Sequence, residues 1–213
     1  YPEIPFVAIS NEQRRLLAGI RVLATVLHGI DTDSFAFRAD PDDYLLFLGR
    51  FTAGKGPVEA IEVARRAGRR LILAAPPNEY YESHVRHLVD GSRVVYAGEV
   101  DHAGKVALFG GAQALIYPVQ AGEPFGLVLA EAMACGTPVA ALDCGAVREV
   151  VDADVTGQVF SDLDALVAGL PSVLALDRHQ VRLRAVARFG IARMVDEYID
   201  VYERVAGTSR ERQ

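Results

Sequence analysis

Between residues 44 and 142, short apolar runs alternate with helical stretches. The runs at 44–48, 70–74, 93–97, 114–117 and 138–142 are apolar almost throughout, not at every second position. A strand that is apolar on both sides is covered on both sides, as in a parallel sheet. The stretches between the runs, near 57–67, 79–89, 103–109 and 125–134, read as helices. Strand–helix alternation joins parallel strands through right-handed crossovers. The expected fold is α/β: a Rossmann-like parallel sheet with helices on both faces. A short helix near 147–151 and a last strand at 158–160 follow, then three helices at 162–170, 178–188 and 191–205. Upstream, apolar strands at 5–9 and 22–27 flank a helix at 11–18, with Ser10 as its cap. The polar stretch 32–43 carries Pro41 and reads as a linker.

In an open parallel sheet, ligands collect beyond the carboxyl ends of the strands. Gly49-Arg50, Gly98 and the segment from Tyr117 to Glu123 all occupy such ends. The last is the richest. It delivers Glu123, then Pro124, Phe125 and Gly126, and opens an alanine-rich helix that carries Glu131 and stops at Gly136-Thr137-Pro138. A helix N-terminus with open N–H groups suits a phosphate. Carboxylates beside an anion site make sense when they serve hydroxyl groups of the same ligand, so the stretch suggests a sugar phosphate or a nucleotide sugar. Glu131 sits among Ala130, Ala132 and Ala134, and a carboxylate on a buried helix needs a partner. Glu123 reads equally as a charge favoured near a helix N-terminus, and Glu131 as an ordinary helix former.

Arg50 and Lys55 share a glycine-punctuated loop between a strand and a helix. They could neutralise a diphosphate, or stand as solvated surface cations. The loop lacks the spacing of a Walker A motif and of a dinucleotide fingerprint. Tyr80-Tyr81 could stack on a base or cover the sheet edge. The arginines at 178, 182, 184, 188 and 193 read as a solvated helix face, with a membrane-surface or acceptor-steering patch as the alternative. His84, His87, His102 and His179 show no metal-ligand spacing, and His28 reads as a turn residue. No metal and no cofactor is expected.

The net charge of −6 argues against a general nucleic-acid binder. Two cysteines, Cys135 and Cys144, make no disulfide framework and fit a reducing, cytoplasmic setting. Cys135 reads as a small core residue. The chain opens at Tyr1 without Met, which suggests a piece of a longer protein.

The residues from Glu123 to Val139, Glu-Pro-Phe-Gly-Leu-Val-Leu-Ala-Glu-Ala-Met-Ala-Cys-Gly-Thr-Pro-Val, resemble the signature of the retaining GT-B glycosyltransferases of family 4. Gly49-Arg50 with Lys55-Gly56 is similar to that family's donor-diphosphate motif. The stretch from Gly145 to Val151 with Thr156-Gly157, and the closing residues from Arg188 to Tyr202, also resemble it. The resemblance implies the donor-binding half of such an enzyme, using a UDP- or GDP-sugar for retaining, metal-independent transfer to an unknown acceptor. It implies that Arg50 and Lys55 hold the diphosphate beside Gly49, and that Glu123 contacts the donor sugar. The backbone of Phe125, Gly126 and Leu127 would meet sugar and phosphate, Glu131 the ribose, and the loop near Val100 the base. By the same resemblance, 1–43 is the end of an N-terminal acceptor domain plus linker, 44–189 the donor domain, and 190–213 a helix that crosses back to the absent domain. Such a half is expected to bind donor without turnover, and its last helix could support a homodimer. A non-catalytic nucleotide-sugar sensor is the competing reading, and a nicotinamide-dependent dehydrogenase a weaker one. Val119 and Arg148 depart from the family pattern, where Ser and Pro are common.

Overall fold

The structure, a computed structural model, describes residues 4–210, with side chains to residue 207; Tyr1 lies outside the described residues. The elements run β1 (Phe6–Ala8), α1 (Asn11–Leu16), β2 (Val22–Thr25), β3 (Leu45–Leu48), α2 (Pro57–Arg66), β4 (Leu71–Ala74), β5 (Val94–Gly98), α3 (His102–Gly111), β6 (Ala114–Tyr117), α4 (Leu127–Ala134), β7 (Val139–Leu142), α5 (Val147–Val150), β8 (Gly157–Phe160), α6 (Leu163–Leu174), α7 (Arg178–Phe189) and α8 (Ile191–Arg210). Six strands form one parallel sheet in the order β5-β4-β3-β6-β7-β8, and β1 and β2 form a separate parallel pair.

Side-chain alternation along these strands feeds two cores. Leu46, Leu115, Val139 and Ala141 face α3, α4 and α7. Leu45, Phe47, Leu71, Leu73, Ala114, Ile116 and Ala140 face α2 and α6. Neighbouring strand residues point to opposite faces, so a strand buried on both sides is apolar at every position. The expected α/β class follows from this two-sided burial.

Several elements differ from the sequence reading. The stretch 79–89 is a π-helical turn, Tyr81–Val85, followed by a 3₁₀ turn, Arg86–Leu88. Asn78 starts it by accepting from Tyr81 N and donating to Phe51 O. Tyr81 then packs between Phe51 and Tyr96, and the wide turn keeps Val85 on the same buried side. Tyr81 therefore covers the sheet edge, while Tyr80 stacks on His84. Helix α3 runs past residue 109, through Gly110-Gly111, and ends there. A Cβ on Gly111 would lie 2.7 Å from Asp42 Oδ2, so the missing side chain admits the 42–44 segment. Helix α6 continues through Pro171 to Leu174, because Val173 is a buried core residue. Helix α4 starts at Leu127, two residues later than expected, since Gly126 has φ +87° and cannot be part of the helix.

The 32–43 segment is packed against the sheet domain: Phe35 and Thr32 are buried. Arg178 and Arg182 of α7 hold it there, which corrects the reading of a solvated face for these two and for Arg188, while Arg184 is exposed and pairs with Asp152. Arg178 donates to the carbonyls of Arg38, Gly110 and Ala112 and to Thr137 Oγ1, at 2.8–3.0 Å. Arg182 donates to the carbonyls of Phe35 and Ala134. Arg188 joins the carbonyls of Glu149 and Val150 to Asp152. A guanidinium offers five donors in a plane, which suits several carbonyls left open at helix ends.

Helix α8 lies against residues 27–30. Arg193 donates to the carbonyls of Leu27 and His28, Gly29 N lies 3.0 Å from Met194 Sδ, and Ile30 bridges to Gly190. Its other side exposes Ile191, Val195, Ile199, Tyr202 and Val205. Among the described residues no helix is long and apolar enough to cross a membrane.

Candidate functional site

The strand order reverses between β3 and β6: β4 and β5 extend to one side, β7 and β8 to the other. The loops leaving β3 and β6 diverge there, and a crevice opens at their carboxyl ends. Residues 49–56 leave β3, and residues 118–126 leave β6. Backbone bonds join them, since Gln120 N and Ala121 N donate to Gly54 O. A cavity of 210 Å³ lies in this crevice, lined by Gly49, Lys55, Tyr117, Val119, Glu123, Gly126, Leu127 and Val128 and floored by Phe47 and Leu48.

Glu123 is the focus. The residue is 6% exposed. Oε2 accepts from Lys55 Nζ at 2.6 Å and from Tyr117 OH at 2.5 Å, while Oε1 lies 3.4 Å from Phe125 N. Burial pushes its pKa up, but the bonds from Lys55 and Tyr117 outweigh that and hold it below the usual carboxylate value. The backbone of Glu123 is clamped as well: Ala146 N donates to its carbonyl at 2.8 Å. Gly145, at φ +56°, comes so near that a Cβ would sit 2.6 Å from Glu123 N. Beneath the loop, Phe125 is buried, with its ring edge-on to His28 at 5.1 Å and to Phe189 at 5.8 Å. His28 is thus more than a turn residue, and burial lowers its pKa.

Glu131 faces α3. Its Oε1 lies 2.7 Å from Lys105 Nζ, and that ammonium also stands 5.5 Å from the Phe35 ring centroid. The carboxylate expected to need a partner therefore has one within the chain. Lys105 follows the β5–α3 loop, where Val100 is half-buried and Asp101 caps α3 through Gly104 N.

Of the residues singled out from sequence, Gly49, Lys55, Glu123, Gly126 and Leu127 line this cavity. Arg50 is exposed beside Gly49. Glu131 pairs with Lys105 of α3 and Val100 lies between β5 and α3; neither lines this cavity. Helix α4 has no side-chain cap at Gly126; Leu129 N donates back to Gly126 O, and the N–H groups of Leu127 and Val128 have no acceptor within the helix. Sequence reasoning missed Tyr117 and Lys105. Tyr117 ends a buried strand, where a phenol needs a hydrogen-bond partner. Lys105 had a plainer signal: Lys55 and Lys105 are the only lysines among the chain's 22 Lys and Arg residues, and each pairs with one of the two glutamates, Glu123 and Glu131. Val119 lines the cavity with an apolar side chain, and Arg148 pairs with Asp143 at the surface. Among the described residues no group of three or more His, Cys, Asp or Glu side chains could hold a metal ion.

Comparison with known proteins gives the family. The family model described as glycosyl transferases group 1 matches residues 30–188. The phosphatidyl-myo-inositol mannosyltransferase of Mycobacterium tuberculosis is 33% identical over 205 residues, which cover 85% of this chain and 54% of that protein. The D-inositol 3-phosphate glycosyltransferase of Xylanimonas cellulosilytica is 32% identical over 173 residues, 74% of this chain and 41% of that protein. The chain thus spans about half the length of these curated relatives. Among solved structures, AviGT4, a glycosyltransferase involved in avilamycin A biosynthesis, superposes with a TM-score of 0.79 at 28% identity, over 93% of this chain and 63% of that one. Anabaena Alr3699/HepE in complex with UDP and glucose shares the fold, with a TM-score of 0.76 at 18% identity, over 92% of this chain and 62% of that one. On the family match and these relatives, the chain belongs to the glycosyl transferases group 1 family, and its six-stranded parallel sheet is that of the GT-B glycosyltransferase structures.

Proposed function

We propose that this chain is the nucleotide-sugar-binding half of a glycosyltransferase. The observation that carries the reading is the buried Glu123 carboxylate paired with Lys55 in the crevice between β3 and β6. In this reading the diphosphate lies between Arg50, Lys55 and the N-terminus of α4. The cations and the open N–H groups stabilise the charge that develops on the leaving diphosphate. Glu123 meets hydroxyls of the transferred sugar, Glu131 the ribose, and the backbone near Val100 the base. The base is uracil or guanine; one structural relative is bound to UDP and glucose. With the leaving group's charge met by these cations, transfer proceeds without a metal. Retention at the anomeric carbon belongs to the reading and rests on the family resemblance. The acceptor binds to chain outside these residues, so the chain by itself binds donor and transfers nothing.

Calorimetric titration with UDP, GDP and ADP tests the reading. It expects binding of UDP or GDP. Absence of heat with all three at millimolar concentration would overturn it.

A further inference from the structure

Glu123 Oε2 carries two side-chain donors, Lys55 Nζ at 2.6 Å and Tyr117 OH at 2.5 Å. An ion pair alone does not need the second. The two donors differ in freedom. Lys55 lines the cavity and its side chain is 29% exposed, so it can turn toward a ligand. Tyr117 is 4% exposed at the end of β6, packed in the core shared with α4, and stays where it is. When Lys55 turns away, a buried carboxylate loses its counter-charge, which is costly unless other donors remain.

We propose that Tyr117 is a positioning residue whose fixed hydroxyl holds Glu123 Oε2 while Lys55 moves its charge from Glu123 to the diphosphate of an incoming ligand. This rests on the reading of the site given above and adds how the resting ion pair opens. With the hydroxyl in place, Glu123 keeps its charge and orientation after the lysine leaves. Without it, only the distant Phe125 N–H remains, and the carboxylate must take up a proton. The groups facing Glu123 are Lys55 from the β3–α2 loop, Tyr117 from β6 and the Cys144 thiol from the β7–α5 loop. The thiol points its hydrogen at Ala121 O at 3.3 Å, so it does not replace the phenol. Burial first, then the bond and charge of Glu123, push the Tyr117 phenol far upward, so it remains a donor at any ordinary pH.

The test is Tyr117→Phe in the 213-residue chain, titrated with UDP and GDP between pH 5.5 and 8.5 in buffers of different ionisation heat. The wild type should show only the nucleotide's own proton linkage. The variant should bind about tenfold more weakly at pH 8 and nearly normally at pH 5.5, with a proton taken up on binding. Equal weakening at every pH, or unchanged binding, would overturn the proposal and leave the site reading intact. A measurement without ligand separates the two: the Glu123 carboxyl ¹³C titration in Lys55→Met and in Lys55→Met/Tyr117→Phe. The double variant should titrate at clearly higher pH than the single. Coincident midpoints would show that the phenol does not hold the carboxylate. Should the wild type bind no diphosphate, the reading of the site falls, and with it the movement of Lys55.

Discussion

Lys105 Nζ lies 2.7 Å from Glu131 Oε1, tying the start of α3 to the second turn of α4. The side chains are 24% and 16% exposed, so the pair borders solvent and can admit hydroxyl groups. If Glu131 receives a ribose, Glu131→Gln should weaken UDP or GDP binding about tenfold, while inorganic pyrophosphate binds as before. Calorimetry with both ligands checks this. Parallel losses for nucleotide and pyrophosphate would mean that the substitution disturbs the fold and that Glu131 does not read the ribose.

Lys55→Ala should weaken nucleoside diphosphate binding tenfold or more, since a charge-assisted bond contributes about 1.5–3 kcal/mol. Unchanged affinity would make Lys55 a structural partner of Glu123 and nothing more.

Arg178 makes four hydrogen bonds that hold the 38–42 segment and the end of α3 to α7. Arg178→Met keeps much of the side-chain volume and leaves those acceptors open. The expected loss is about 3 kcal/mol, a Tm lower by roughly 6–12 °C for a chain of this size. Thermal unfolding measures it, and a shift within about 2 °C would mean that water replaces the guanidinium.

Asp90 accepts from the backbone N–H groups of Ser92, Arg93 and Val94 and from Ser92 Oγ. The N–H bonds from Val94 and Ser92 lead in lowering its pKa to about 2. A depressed carboxylate stabilises the fold in full above its unfolded value, near pH 4, and that contribution is lost as pH falls through 2. Asp90→Asn should therefore be less stable than wild type at pH 7, with the gap closing between pH 4 and 2. A gap independent of pH would contradict the assignment.

Cys135 is fully buried, and burial pushes its thiol up to about 12. Cys144 is half-buried, in the loop beside Glu123. A neutral thiol reagent should modify Cys144 alone in the folded chain and both after denaturation. Two fast equivalents under native conditions would contradict the buried placement of Cys135.

The sheet was legible because parallel strands covered on both faces leave continuous apolar runs, as Leu45 to Leu48 and Ala114 to Tyr117 do. The crevice followed from those runs, since Gly49 and Glu123 stand just beyond strand ends. What periodicity could not show were contacts made across the chain. Arg178 and Arg182 look like surface charges until the carbonyls of residues 35–38 and 110–112 are brought to them by the fold. Tyr117 reads as one more apolar strand residue until the loop returns Glu123 to its hydroxyl. Gly126 looked like part of a helix beginning at residue 125, and only its positive φ shows that the helix starts after it.

In the proposed exchange, Lys55 leaves Glu123 for a diphosphate. The chain has only two lysines, so selective ¹³Cε-lysine labelling yields two side-chain signals, assigned with Lys105→Arg. Saturation with UDP or GDP should move the Lys55 signal strongly and return it when the nucleotide is removed. A Lys55 signal that stays in place while the nucleotide binds would show that the pair with Glu123 never opens, and would contradict the account.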